Sequence, residues 1–142
     1  DMGVLYKDFH TDSAITILVI HKPTSQVGYP QKLISVTKEA LNIGISKAKV
    51  GNTLGDIGSA IQKHVEDRGF NVVRDLVGHG IGRELHEPPQ VLNYGKAGQG
   101  EKLVQGMVIA IEPMVVPGKW NIKNGKAGYA FVTKDGGLAG HF

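Results

Sequence analysis

The sequence contains no cysteine, which excludes disulfide bridges, thiolate metal sites and cysteine nucleophiles. It also lacks any apolar run close to the roughly 20 residues that a helix needs to cross a bilayer. No signal-peptide pattern is present at the first residues. From these absences we expect a cytoplasmic protein that has no membrane partner.

The sequence also lacks a concentrated basic segment. Its 16 Lys and Arg residues against 13 Asp and Glu residues leave a net charge of +3 and a pI of about 9.1. These basic residues are scattered, whereas nucleic-acid binding needs a concentrated basic surface. We therefore expect no nucleic-acid partner.

The length of 142 residues suits one domain, and 41% hydrophobic against 20% charged residues is a balance typical of globular proteins. The first residue is Asp, and both ends lie within predicted strands. We therefore expect residues 1–142 to be one domain that is truncated at both ends, an internal piece of a longer protein.

The order of apolar and turn-forming segments predicts two strands, two helices and then four strands. Lys7-Asp8 is the expected turn of a hairpin, Pro30 opens the first helix, and Thr53 with Asp56 resembles a capping box at the start of the second. The predicted strands span 1–6, 13–20, 70–73, 107–116, 129–133 and 138–142. The predicted helices span 30–49 and the stretch between Thr53 and Gly69. Loops are expected at 22–26, 78–89 and 134–137. This order indicates an α+β fold with both helices on one face of a mainly antiparallel sheet.

Glu112 interrupts the most apolar predicted strand, between Ile111 and Pro113. An ionised carboxylate in such a run is costly unless it is paired or bound to a metal. A solvated strand face, or a nearby lysine, would also explain it.

Asp1 and Asp12 lie on the predicted hairpin and are 11 positions apart. Because this separation is odd, a turn near Tyr6-Lys7 would place both side chains on one face, where two like charges need a cation between them. If the turn lies elsewhere, both are surface acids.

Glycines flank His79, and His86 follows seven positions later in the same predicted loop. Two histidines near separate acids resemble a mixed nitrogen and oxygen metal site, which favours Mn, Co, Fe or Zn. The alternative is a tight turn with a solvent-facing ring. His10, His21 and His64 are expected to be surface or packing residues, and His141 is left open.

The motifs together resemble the methionine aminopeptidases, in order and spacing, along essentially the whole chain. They are Asp1-Met2-Gly3-Val4, His10-Thr11-Asp12-Ser13-Ala14, Gly78-His79-Gly80-Ile81-Gly82, His86-Glu87-Pro88-Pro89 and Ile111-Glu112-Pro113-Met114. The short path from His86 to Glu112 is similar to the type I enzymes. Thr11, where Gly is common, and Tyr129, where Trp often occurs, depart from the family pattern.

The resemblance implies the pita-bread (creatinase/aminopeptidase-like) fold, present here in part, with two divalent metal ions (Co, Mn, Fe or Zn) between its two halves. It implies Asp1, Asp12, His79 and Glu112 as metal ligands, and a Glu directly after Phe142 as a fifth ligand. It also implies Glu112 as the general base and His86 as a catalytic, substrate-binding residue that contacts the scissile peptide.

The implied activity is removal of the N-terminal methionine from peptides and nascent proteins by a water or hydroxide that bridges the metals. The ribosome is a possible partner, a monomer is the family habit, and the isolated 142-residue piece is expected to be inactive. Two alternatives remain: an X-Pro aminopeptidase or prolidase of the same fold, and a non-catalytic binding module on that fold.

Overall fold

The structure is a computed structural model, and it describes residues 1–20, 28–126, 128 and 130–142. Within this part of the chain, two strands are followed by two helices and then by eight short strands, four more than the sequence predicts. The elements are β1 (Met2–Tyr6), β2 (Phe9–Ser13), α1 (Gly28–Lys47), α2 (Leu54–Glu66), β3 (Asn71–Val72), β4 (Gly78–Gly80), β5 (Glu87–Val91), β6 (Ile109–Ala110), β7 (Met114–Val116), β8 (Ile122–Asn124), β9 (Phe131–Thr133) and β10 (Gly140–His141).

All the strand pairs described are antiparallel, and they form four small sheets. Two sheets have three strands, in the orders β10-β7-β3 and β5-β4-β6, and the other two are the pairs β1-β2 and β8-β9. In the same described part, no helix is both long and apolar enough to span a lipid bilayer.

The first hairpin forms with the predicted turn but a shorter second strand. Lys7 (φ 48°) and Asp8 (φ 66°) both adopt left-handed conformations, as the two-residue turns that match strand twist require. This turn pairs Tyr6 with Phe9 and Met2 with Ser13, so β1 offers no partner beyond Ser13. The predicted strand 13–20 is therefore wrong. His21 and the predicted loop 22–26 lie outside the described residues.

The two helices agree closely with their sequence signals. α1 begins two residues before Pro30, and Thr53 caps α2 through the predicted box, in which the Thr53 N–H donates to the Asp56 carboxylate at 2.7 Å. That bond, with a second from the Thr53 hydroxyl, lowers the pKa of the Asp56 carboxyl from its usual 3.8. The C-cap is Asp67, and Gly69 (φ 81°) lies two positions beyond it.

The predicted loop 78–89 is wrong because it contains β4 and the start of β5, which pair with each other. Glycine usually indicates a turn, but Gly78 and Gly80 are in a strand for a steric reason. A Cβ at Gly78 would collide with the carbonyl oxygen of Ala110, and one at Gly80 with that of Pro88. These two glycines let β4 lie tightly between β5 and β6 with His79 at its centre.

The predicted strand 107–116 divides where Glu112-Pro113 interrupts it. β6 pairs with β4, whereas β7 pairs with β3 and β10, so Glu112 lies where the chain passes from one sheet to the other. β8 was not predicted, and it is the partner of β9. The turn 134–137 therefore joins strands of different sheets, and Tyr129 lies outside the described residues.

The core is formed by the facing sides of α1 and α2 with β3, β5 and β7 packed against them. Its fully buried side chains include Leu33, Ala40, Ile57, Ile61, Val65, Val72, Val91 and Val115. His64 on α2 also lies at this helix interface, where only 8% of its surface is exposed. Its Nε2 is 3.3 Å from a carboxylate oxygen of Glu39 on α1.

Burial lowers the pKa of the His64 imidazole from its usual 6.5, with a further contribution from the Arg68 charge. Glu39 acts in the opposite direction, but its side chain is 53% exposed, so water screens its charge. Desolvation therefore has the larger effect, and the folded state favours the neutral ring.

We expect Gly80→Ala to lower the free energy of unfolding by about 1–3 kcal/mol, because overpacking against the Pro88 carbonyl displaces β4 or β5. Denaturant titration of the full reading frame that contains this sequence measures the loss. Gly28→Ala is the matched control, since a Cβ there meets nothing within 4 Å. Equal stability of the two variants would contradict the steric explanation.

We expect the stabilising contribution of neutral His64 to be fully present above pH 6.5 and to be lost as the pH falls through the lowered pKa. Unfolding free energies measured between pH 7.5 and pH 5 should therefore fall less in His64→Gln than in the wild type. Glu39→Gln removes the charge that favours protonation, so this variant should lose more stability than the wild type over the same range. The reverse order would show that the ion pair dominates.

Candidate metal centre

Five of the side chains singled out in the sequence line one half-open cavity of about 930 Å³. They come from three separate parts of the chain: the β1–β2 hairpin, the β4–β5 hairpin and the crossing between β6 and β7. The five are Asp1, Asp12, His79, His86 and Glu112. The fold therefore brings together residues that are up to 111 positions apart in the sequence.

The two aspartates share a face of the hairpin, as the odd spacing predicts. Asp12 lies opposite Gly3, and Asp1, two positions before Gly3, is on the same face because side chains alternate along a strand. The two carboxylates are therefore diagonal neighbours. They are not directly opposed, because the turn lies at Lys7-Asp8 and a turn at Tyr6-Lys7 would be needed to pair Asp1 with Asp12. Asp1 is exposed, and Asp12 is partly buried.

His79 lies at the centre of the cluster, with 9% of its side chain exposed. Its Nε2 is 3.1 Å from Oε1 of Glu112 and 3.6 Å from Oδ2 of Asp12. The position follows from β4, since the flanking glycines let neighbouring strands approach and leave the imidazole as the only side chain at this point.

The other ring nitrogen of His79 determines the chemistry of the cluster. Nδ1 lies 2.8 Å from the carbonyl oxygen of Gly80, which can only accept a hydrogen bond, so Nδ1 carries the proton. In the neutral ring, Nε2 then presents a lone pair to two carboxylates. Both Nε2 of His79 and Oε1 of Glu112 are buried without a hydrogen-bond partner. A cation among these atoms would satisfy all of them, so the residues fit a divalent metal.

Glu112 is held in position by a residue that no sequence motif indicates. Asn93 is completely buried, and its side-chain amide donates to the backbone carbonyl of Glu112 at 2.8 Å. This bond fixes the chain just before Pro113, where the ladder is interrupted and the carbonyl has no strand partner. Asn93 lies two residues after β5, and its partner 19 positions away could not be read from the sequence.

His86 lies at the exposed side of the cluster. Its ring packs edge-on against that of His79, with 4.3 Å between centroids. Asp12, His79 and His86 each offer one ligand atom, and these atoms lie within 4.8 Å of one another. An exposed imidazole next to the buried cluster can reach a molecule that enters the cavity.

Of the other histidines, only His141 lines this cavity among the residues described. His64 lies between the helices, and the backbone of His10 bonds to Gly82. Thr11, the other departure from the family pattern, is exposed on β2 opposite Val4.

One wall of the cavity is mainly apolar. Its side chains come from β7, β8, β9 and the residue directly after β3. They include Val73, Met114, Val116, Ile122 and Phe131. A cavity lined by both acids and apolar side chains suits a ligand that has a charged or polar group and an apolar side chain.

Comparison with known proteins gives a consistent result. Residues 1–137 match the Metallopeptidase family M24. A methionine aminopeptidase from Clostridium perfringens is 48% identical over all of this chain, which covers 55% of that protein. The crystal structure of a methionine aminopeptidase from Thermotoga maritima superposes with a TM-score of 0.90 at 45% identity, over 98% of this chain and 54% of the other.

A prolidase from Pyrococcus furiosus is more distant, with a TM-score of 0.66 and 26% identity over 98% of this chain and 35% of that one. The chain spans about half the length of the curated relatives it matches. These structures confirm the expected α+β pita-bread fold. With a family match over nearly all of its residues, the chain belongs to the M24 metallopeptidase family.

Proposed function

We propose that the protein containing this chain is a methionine aminopeptidase, which removes the N-terminal methionine from peptides and proteins with the help of two divalent metal ions. The observation that supports this most is Nε2 of His79, which is buried without a hydrogen-bond partner between the carboxylates of Asp12 and Glu112. Membership of a metallopeptidase family implies divalent metals. Their number, and the choice among Co, Mn, Fe and Zn, are part of the proposal.

The proposed metal ligands are Asp1, Asp12, His79 and Glu112. Carboxylate and imidazole donors suit hard or borderline divalent ions. Asp12 and Glu112 both approach His79 and would hold the ions together with it, whereas Asp1, at the exposed rim, would supply a further carboxylate. Bound divalent ions would also offset the repulsion among these carboxylates, which share one cavity.

Divalent ions held here would polarise the peptide carbonyl and lower the pKa of water toward neutrality. We propose that the Glu112 carboxylate accepts the proton of the attacking water and transfers it to the leaving amine. Glu112 is suited to this because its side chain is only 15% exposed and Asn93 holds its backbone. His86 would donate a hydrogen bond to the carbonyl oxygen as negative charge develops on it.

The apolar wall provides a place for the methionine side chain. Met114, Val116 and Phe131 lie on it, and none of them could pair with a charged substrate side chain. Burial of an unbranched apolar side chain there would stabilise the bound peptide by roughly 1.5–3 kcal/mol. The acids at the other end would leave space for the substrate's amino terminus.

Two alternatives lead to different experimental results. A prolidase or X-Pro aminopeptidase would use the same metal ligands, and the likeness to the Pyrococcus furiosus prolidase shows that the fold permits it. A non-catalytic module would bind partners without cleaving them, yet this chain retains all four residues proposed as ligands. A ribosome partner, a monomeric state and a cytoplasmic location stay predictions.

We expect Glu112→Gln to reduce kcat/KM for methionine release by about 10²–10⁴-fold, because the amide cannot accept the proton. His79→Ala should lose activity to a similar degree and should bind less metal in elemental analysis. Both are measured in the full reading frame loaded with metal, and chelation of the wild type should also abolish release. Glu101→Gln makes the same chemical change at an exposed position and is the control. Near wild-type rates in both site variants would reject the proposal.

We expect a Met-Ala peptide to be cleaved at a far higher kcat/KM than a matched Xaa-Pro peptide. The reason is that the apolar residues of the cavity would accept a methionine side chain, whereas no residue proposed for this site would select a proline in the second position. The assay measures release of the first amino acid from both peptides by the same metal-loaded protein. Preference for Xaa-Pro would favour the prolidase reading, and no cleavage of either, with metal bound, would favour the non-catalytic module.

A further inference from the structure

His141 contacts the same carboxylate as His79 but from the other side. Its Nε2 is 3.5 Å from Oε2 of Glu112, whereas Nε2 of His79 is 3.1 Å from Oε1. Nε2 of His141 is buried and has no hydrogen-bond partner. One carboxylate therefore lies between two imidazoles, and each of its oxygens faces one ring nitrogen.

The backbone of His141 is held from two sides. Its N–H donates to the hydroxyl oxygen of Thr16 at 2.8 Å, and the same hydroxyl donates to its carbonyl oxygen, also at 2.8 Å. On the opposite edge, His141 pairs with Met114 on β7, two positions after Glu112. Thr16 is 125 positions away in the sequence, so these bonds are tertiary contacts between distant segments.

Close packing of β10 on α1 limits its freedom further. A Cβ at Gly140 would lie 2.5 Å from Oγ1 of Thr37. That hydroxyl is itself buried and bonded to the carbonyl of Leu33 at 2.8 Å, so it cannot move away easily. The strand that carries His141 is thus fixed by α1 beneath it, by β7 beside it and by Thr16 on its other edge.

The two histidines cannot serve Glu112 in the same way. His79 donates from Nδ1 to the Gly80 carbonyl, so in the neutral ring its Nε2 offers a lone pair to a cation between itself and Oε1. Among the described residues, no hydrogen bond to the other ring nitrogen of His141 fixes its tautomer, so Nε2 of His141 can carry the proton and donate to Oε2. A donor on one oxygen leaves the other oxygen free to face the metal.

We propose that His141 is a positioning residue for Glu112: its Nε2–H donates to Oε2, holds the carboxylate in one orientation and directs Oε1 toward the metal and His79, and Thr16 holds His141 in register for this. The inference rests on the proposed metal centre. Hydrogen-bond partners of this type orient ligands, and removing one costs about 10–100-fold in metal affinity.

The test is calorimetric titration of the metal-free full reading frame with Mn²⁺, which measures binding independently of catalysis. His141→Leu should weaken binding by about 10–100-fold. His141→Gln should keep most of the affinity, because its amide N–H can replace the Nε2–H donor. Thr16→Val should weaken binding in the same direction, and Thr16→Ser, which restores the hydroxyl, should recover it. His10→Leu, a histidine outside the cavity, is the matched control.

The outcomes distinguish failure of the positioning role of His141 from failure of the proposed metal centre. If the wild type binds Mn²⁺ and His141→Leu binds it equally well, the positioning role is wrong and the metal centre stands. If His141→Gln is as weak as His141→Leu while both melt like the wild type, His141 is a direct ligand and the donor role is overturned. If the wild type itself binds no divalent ion, the proposed function fails and the positioning role fails with it.

Discussion

The site depends on one hydrogen bond, between Nδ1 of His79 and the carbonyl oxygen of Gly80. Because that oxygen can only accept, it assigns a proton to Nδ1, and in the neutral ring Nε2 then has a lone pair, 3.1 Å from one carboxylate and 3.6 Å from another. Electron-rich atoms at these separations repel each other in a buried setting unless a positive charge lies among them. The local geometry of β4 therefore arranges donor atoms that suit the divalent metal of the proposed function.

The rest of the fold brings the carboxylates of Asp1, Asp12 and Glu112 to the cavity that contains His79. Glycines on both sides of His79 let β5 and β6 approach closely, and β6 leads directly to Glu112. Asn93, two residues after β5, then donates a hydrogen bond to the backbone carbonyl of Glu112. The hairpin of β1 and β2 provides Asp1 and Asp12 independently. Two hairpins and one crossing segment are thus sufficient to bring the acids to the imidazole, and the helices behind them supply the core that fixes the sheets.

The sequence predicted the components of the site better than their arrangement. The odd spacing of Asp1 and Asp12 predicts a shared face for any two-residue turn, because moving the turn by one residue changes the opposing pair but not the parity. The capping box at Thr53 and Asp56 was equally local and was confirmed. Glu112-Pro113 was predicted to interrupt the strand 107–116, and this is confirmed, because a charge and a missing N–H both oppose a continuous strand.

The failures have a common cause, which is that long-range packing overrode a local signal. Gly78 and Gly80 are typical of a loop, yet they lie in a strand because the carbonyls of Ala110 and Pro88 exclude a Cβ. The contacts of His141 with Thr16 and Glu112 join distant segments, and no spacing within either segment encodes them. The three residues of β8 were missed because so short a strand has little periodicity, and only its pairing with β9 identifies it.

The fold by itself does not determine which peptide is cleaved. The Thermotoga maritima methionine aminopeptidase and the Pyrococcus furiosus prolidase both superpose on nearly the whole chain, although their names describe different substrates. The shared scaffold of hairpins can therefore account for the acids and the imidazole but not for the choice of peptide. Under the proposed function, the cavity lining would contribute to that choice, since Met114, Val116 and Phe131 offer apolar surface and no charge. A wall of this kind discriminates by burying a side chain, so an unbranched, uncharged first residue gains the most from it.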